Sequence, residues 1–221
     1  MARSFRKEIK DPDFLQVSAG KTVEWYRANA KLILAAAATL IVVVAAIVGN
    51  RLWNAHVREQ AALALAMAEA INKEQAGQGA ENALRRAADA YPGTKSGVIA
   101  RLKLAVLLRE RGDFSAAEQE YRRLLKADEL GGMDFELARR GLASSLSLQG
   151  KCAEAVPIWK EILAKGSLLT PEDIYIAIGA CLEETGQAAE ALKTYDELIQ
   201  KHPRSPFITP RLRARMDRLA K

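Results

Sequence analysis

The sequence has little of what catalytic and metal sites need. Two cysteines and two histidines occur in 221 residues. Cys152 and Cys181 stand far apart, and neither has a histidine at metal-ligand spacing. His56 borders a long apolar run, and His202 precedes Pro203 at a helix end. Neither has a serine or cysteine within the helical pattern around it, and a general base must reach its proton before it can act. No catalytic residue, cofactor, metal or small-molecule substrate is therefore assigned. The paired acids Asp128-Glu129 and Glu183-Glu184 read as solvated helix faces. Aromatic residues make up only 6%. The net charge of +6 is spread without a long cationic run, which argues against nucleic-acid binding. Valine and isoleucine concentrate in Ile41–Val48. Elsewhere alanine and leucine recur at helical spacing, and the chain reads as all-α.

Gly20-Lys21-Thr22 looks like the end of a phosphate-binding loop. That motif needs a glycine five residues earlier, where Leu15 stands, and a preceding strand, where Lys10-Asp11-Pro12-Asp13 stands. The nucleotide reading fails on both counts, and the membrane explains the stretch better. Leu32 to Gly49 is an uncharged run of eighteen residues. As a helix it spans roughly 27 Å, close to the hydrocarbon thickness of a bilayer. Its ten Leu, Ile and Val residues each favour insertion. Trp25, Tyr26 and Trp53 flank it, as amphipathic rings do at headgroup level. Residues 1–31 carry seven basic residues against four acidic ones, while only Arg51 and Arg58 follow the run closely. The positive-inside rule puts the leader in the cytoplasm and the remainder across the membrane. The long basic leader, the long apolar run and the poor cleavage site favour an uncleaved anchor over a signal peptide.

Beyond the run, Gly112, Gly150 and Gly186 punctuate helical segments at intervals of 38 and 36 residues. Seven residues before each glycine stand Ala105, Ala143 and Gly179. Five after stand Ala117, Ala155 and Ala191. Nine after stand Tyr121, Trp159 and Tyr195, and twelve after stand Leu124, Ile162 and Leu198. Small residues let antiparallel helices approach, the aromatic fills the gap to the next pair, and glycine supplies the positive φ that ends the first helix. Such pairs bury their apolar faces only by stacking. The pattern resembles the tetratricopeptide repeat over Val98 to Pro203, without the usual tryptophan in each first helix and with a loop at Gly131-Gly132. A degenerate unit precedes it. Trp53–Asn72 forms one helix broken by Gly77 and Gly79, and Ala80–Ala90 forms the other. Thr209-Pro210 starts a capping helix with Leu212, Met216 and Leu219 on one stripe, and Thr170-Pro171 starts the last repeat likewise. Cys152 and Cys181 read as small buried residues, and a disulfide between them stays open.

The order of parts resembles the YfgM-like tetratricopeptide proteins, ancillary subunits of the SecYEG translocon. The carrying features are Trp25-Tyr26-Arg27-Ala28-Asn29-Ala30-Lys31-Leu32, the single span, the exit through Arg51-Leu52-Trp53-Asn54, and Gly97-Val98-Ile99-Ala100-Arg101-Leu102-Lys103-Leu104-Ala105. The resemblance covers most of residues 23–200. It implies an inner-membrane protein facing the periplasm, with the Sec translocon, periplasmic chaperones or exported clients as partners. The expected organisation is a cytoplasmic leader (1–31), a transmembrane signal anchor (32–52), an anchor-proximal helix and degenerate repeat (53–97), three repeats (98–203) and a capping helix (204–221). A soluble envelope-assembly scaffold released by signal cleavage is the alternative. The expected partner-binding groove takes residues ten, six and three before each turn glycine: Leu102, Val106 and Arg109; Arg140, Ser144 and Ser147; Ile176, Ala180 and Glu183. A reporter enzyme active only after export, fused behind Lys221, is expected to be active. A reporter active only in the cytoplasm at that position contradicts the charge-based orientation.

Overall fold

The helices follow from where the chain places its glycines, prolines and small polar caps. The structure, a computed structural model, describes residues 14–74, 78–126 and 130–221. Most of the leader (residues 1–13), Gly77 and the Asp128-Glu129 pair lie outside the described residues. Among the described residues there are nine helices and no strand: α1 (Phe14–Glu74), α2 (Gln78–Ala90), α3 (Lys95–Glu110), α4 (Phe114–Leu124), α5 (Gly132–Leu148), α6 (Cys152–Lys165), α7 (Glu172–Glu184), α8 (Ala188–Lys201) and α9 (Pro210–Leu219). The chain divides into two compact units, residues 1–56 and 57–221.

In the first unit, Gly20-Lys21-Thr22 lies within α1, so no loop is present there to cradle a phosphate. Leu32, Leu34, Leu40, Ile41 and Val42 are exposed, as are Trp25, Tyr26 and Trp53. Thr39, the lone hydroxyl in the apolar run, donates to the Ala35 carbonyl at 2.8 Å, so this polar group is satisfied within the helix. Among the described residues one helix is long and apolar enough to cross a membrane, by length and composition.

In the second unit, each helix from α2 to α8 packs on the next, and α3 also meets α5. The twelve residues at the four repeated positions are all buried. Gly112, Gly150 and Gly186 adopt φ of 86°, 72° and 75°. After each, the next N–H reaches back to a carbonyl of the finished helix: Asp113 to Leu108, Lys151 to Leu146, and Gln187 to Leu182. This six-to-one closure satisfies the orphan carbonyls of a helix end and needs a left-handed residue. Thr94, Asp113 and Thr209 cap α3, α4 and α9 by accepting from Gly97, Ala116 and Leu212 N–H groups. Pro157 lies inside α6 without breaking it.

Several local expectations are corrected. Gly79 lies within α2 and does not break a helix. Gly131 is the N-cap of α5 and Gly132 its first residue. Thr170 does not cap α7. Pro171 holds the cap position without a side-chain bond, and the Thr170 carbonyl accepts from Arg140 instead.

Two glycines let neighbouring helices approach closely over a tyrosine ring. A Cβ on Gly141 would lie 2.2 Å from Tyr121 Cζ, and one on Gly179 would lie 2.2 Å from Tyr195 Cε1. Buried ion pairs fasten neighbouring helices. Glu120 accepts from Arg101 at 2.7 Å, Arg123 at 3.0 Å and Arg85 at 3.3 Å, which joins α2, α3 and α4. Burial alone would raise the pKa of Glu118. Hydrogen bonds from Arg122, Lys151 and Gln149 outweigh it and hold the carboxyl at about 2, linking α4 to the turn before α6. Cys152, the first residue of α6, is disulfide-bonded to Cys181 in α7 with their Cα atoms 5.3 Å apart. The bridge joins the second helix of one repeat to the first helix of the next.

Gly141→Ala should cost about 1–3 kcal/mol by overpacking against the Tyr121 ring. Urea denaturation should show a smaller cost in a Tyr121→Leu background, and equal costs in both backgrounds would contradict the contact. Replacing both cysteines by serine should cost about 3–4 kcal/mol, the chain-entropy value for a loop of this length. A loss below about 1 kcal/mol in the same titration would mean that the bridge adds little to the α6–α7 junction.

Candidate functional site

The repeated first helices leave one face uncovered where α3, α5 and α7 line up. A cleft of about 270 Å³ opens there. Leu102, Val106 and Arg109 come from α3. Leu137, Arg140, Gly141 and Ser144 come from α5. Asp173, Ile174 and Ala177 come from α7. Tyr121 of α4 and Trp159 of α6 complete the lining, and both are nearly fully buried. The walls are mainly apolar, with polar groups at a few fixed points.

Those polar groups differ in how far they are already satisfied. Arg140 is fully engaged. Its Nε donates to Glu136 at 2.9 Å, Nη1 to Asp173 at 2.8 and 2.9 Å, and Nη2 to Ser167 at 2.7 Å and the Thr170 carbonyl at 3.0 Å. It therefore fastens the α6–α7 loop to α5. Burial would raise the pKa of Glu136, but hydrogen bonds from Ser167, the Leu168 N–H and Arg140 lower it instead. Arg109, by contrast, has one hydrogen bond among the described residues, to Ser144 Oγ at 3.4 Å. The pKa of Tyr121 is raised chiefly by burial, and the positive charge of Arg109 opposes that rise.

Of the nine residues expected to form the groove, five line this cleft: Leu102, Val106, Arg109, Arg140 and Ser144. Ser147, Ile176, Ala180 and Glu183 are half-buried but do not line it. Glu183 is taken by its neighbours. It accepts from Tyr195 Oη at 2.6 Å and from Arg215 Nε of α9 at 2.9 Å. Sequence reasoning missed Leu137, Gly141, Asp173, Ile174 and Ala177. Leu137 and Asp173 stand thirteen before their turn glycines, and Gly141 and Ala177 stand nine before. With the residues ten and six before, these positions form an i, i+3, i+4, i+7 stripe, which the helical period alone would have extended to them.

The remaining reactive groups are engaged or isolated. His56 is exposed, while His202 lies beside the Tyr175 ring with its Nδ1 3.9 Å from Glu172. Glu184 lies close to both cysteines, but the disulfide leaves no thiolate there to bind a metal.

The profile of the tetratricopeptide repeat-like domain matches residues 23–221, most of the chain. The chain belongs to the tetratricopeptide repeat-like domain family. Comparison with the curated proteins gives no match. Among solved structures, a Podosopora anserina kinesin light chain with nearly identical TPR-like repeats superposes with a TM-score of 0.52 at 18% identity, over 66% of this chain and 77% of that one. At that identity the likeness concerns the fold alone. The fold explains why the cleft is where it is. Stacked helix pairs expose one face of every first helix, and tetratricopeptide solenoids present that continuous surface to protein partners. Repeats of this kind point to a protein-interaction scaffold with protein partners.

Proposed function

We propose that this protein is a membrane-anchored adaptor whose repeat unit faces the periplasm and binds polypeptides beside the Sec translocon, either exported clients or chaperones. The observation that carries the protein-binding part is the cleft across α3, α5 and α7. It is apolar, open and built from three successive repeats.

Three further points support the location. The apolar helix is long enough to anchor the chain, and its basic leader favours a cytoplasmic N-terminus. The Cys152–Cys181 bridge suits an oxidising compartment, and the bacterial periplasm is one. The order of leader, span and repeats resembles that of YfgM-like translocon subunits.

The test is site-specific photo-crosslinking in intact cells. A photoreactive residue replacing Val106 should capture polypeptides, with translocon subunits, periplasmic chaperones or exported chains among the products. Leu102→Ser combined with Leu137→Ser should reduce that yield at least several-fold while the protein stays in the membrane fraction after alkaline extraction. An absence of products from Val106 rejects the cleft as the binding site. Release by alkali would favour the cleaved, soluble scaffold.

A further inference from the structure

The polar groups left over in the cleft specify what kind of polypeptide fits it. This rests on reading the cleft as protein-binding. Arg140 and Asp173 neutralise each other at the α5–α7 edge, so neither is available to a ligand. What remains at the α3–α5 edge is a set of donors. The Arg109 guanidinium is half-buried, and its one hydrogen bond among the described residues, at 3.4 Å, is at the long limit. The Tyr121 hydroxyl lines the same cleft and has no hydrogen-bond partner among the described residues. Ser144 adds a second hydroxyl. The neighbouring acid, Glu110, is exposed and is not part of the lining. A half-buried cation without a carboxylate is costly, and a charge-assisted bond from a ligand relieves that cost. Around these donors the walls are Leu102, Val106, Leu137 and Ile174.

We propose that the cleft selects an apolar polypeptide segment carrying one acidic side chain, whose carboxylate is received by Arg109 with Tyr121 as a second donor. The apolar side chains of the segment lie on the leucine, valine and isoleucine walls, and the single charge fixes its register. Purely apolar segments, including membrane-spanning ones, are disfavoured because they leave the guanidinium covered and unpaired.

The experiment uses the full chain in lipid nanodiscs and fluorescence anisotropy of labelled, end-capped peptides. One peptide is built of leucine and alanine with a single central glutamate, and its twin carries glutamine there. The wild type should prefer the glutamate peptide by about ten- to a hundredfold, the range of one charge-assisted hydrogen bond. Arg109→Gln should bring the two peptides within about twofold of each other, chiefly because the glutamate peptide loses its advantage. Tyr121→Phe should reduce the preference but not remove it, with helicity by circular dichroism unchanged in both variants. Equal binding of the two peptides by the wild type, or a preference that survives Arg109→Gln, overturns the proposal and leaves the cleft as a peptide site. A glutamine peptide that binds tightly only when its C-terminus is left free also overturns it, in favour of a terminal carboxylate. Failure of both peptides to bind overturns it too. Crosslinking from Val106 then decides whether the wider reading of the cleft falls with it.

Discussion

Gly141 and Gly179 set how near neighbouring helices come, because in each case a tyrosine ring occupies the space where a Cβ would stand. Protein interiors are packed too densely to absorb an extra methyl group at such a point without moving a ring or a helix. Tyr121 comes from the second helix of one repeat and Gly141 from the first helix of the next, so the contact defines the step between repeats. The α3 and α5 residues of the cleft inherit their relative position from that step. Leu102 and Ser144 line one opening only because α3 and α5 are held at this separation. The tyrosine ring that rests on Gly141 also carries the hydroxyl that borders the cleft, so packing and recognition share one side chain.

Ion pairs complete what the glycines begin. Glu120 gathers one arginine each from α2 and α3 and a third from its own helix, and Arg140 ties α5 to the loop that leads into α7. Glu120, Arg101 and Arg140 are themselves shielded and hydrogen-bonded, so removing their partners leaves a covered charge uncompensated. Their effect is to fix the angles between helices. In a stacked array such angles determine whether a surface made of several repeats is continuous.

The repeat was legible because its signal is local and recurs. Once the three turn glycines are aligned, the twelve small, aromatic and aliphatic positions follow by counting, and all are buried. The site was only partly legible, for a different reason. Arg140 and Glu183 look like free charges in sequence, yet one is consumed by Asp173 and the other by Arg215, thirty or so residues away. No local pattern records such competition between side chains. Gly141 was missed because the position nine before the turn glycine does not repeat one residue type, holding Lys103, Gly141 and Ala177 in the three repeats. The bridge between Cys152 and Cys181 was undecidable because it depends on how α6 and α7 are brought together, not on spacing.

That bridge has a consequence for how the protein matures. The sequence contains two cysteines, so there is one intrachain pairing and no wrong one. Proteins with four or more cysteines pass through mispaired species and depend on reshuffling by thiol exchange, which takes seconds to hours. Here an oxidant alone suffices, and an isomerase has nothing to correct. The remaining hazard is a bridge between two molecules. It is suppressed once folding has buried both sulfurs, so rapid pairing of neighbouring repeats also protects the chain from being cross-linked to its own copies.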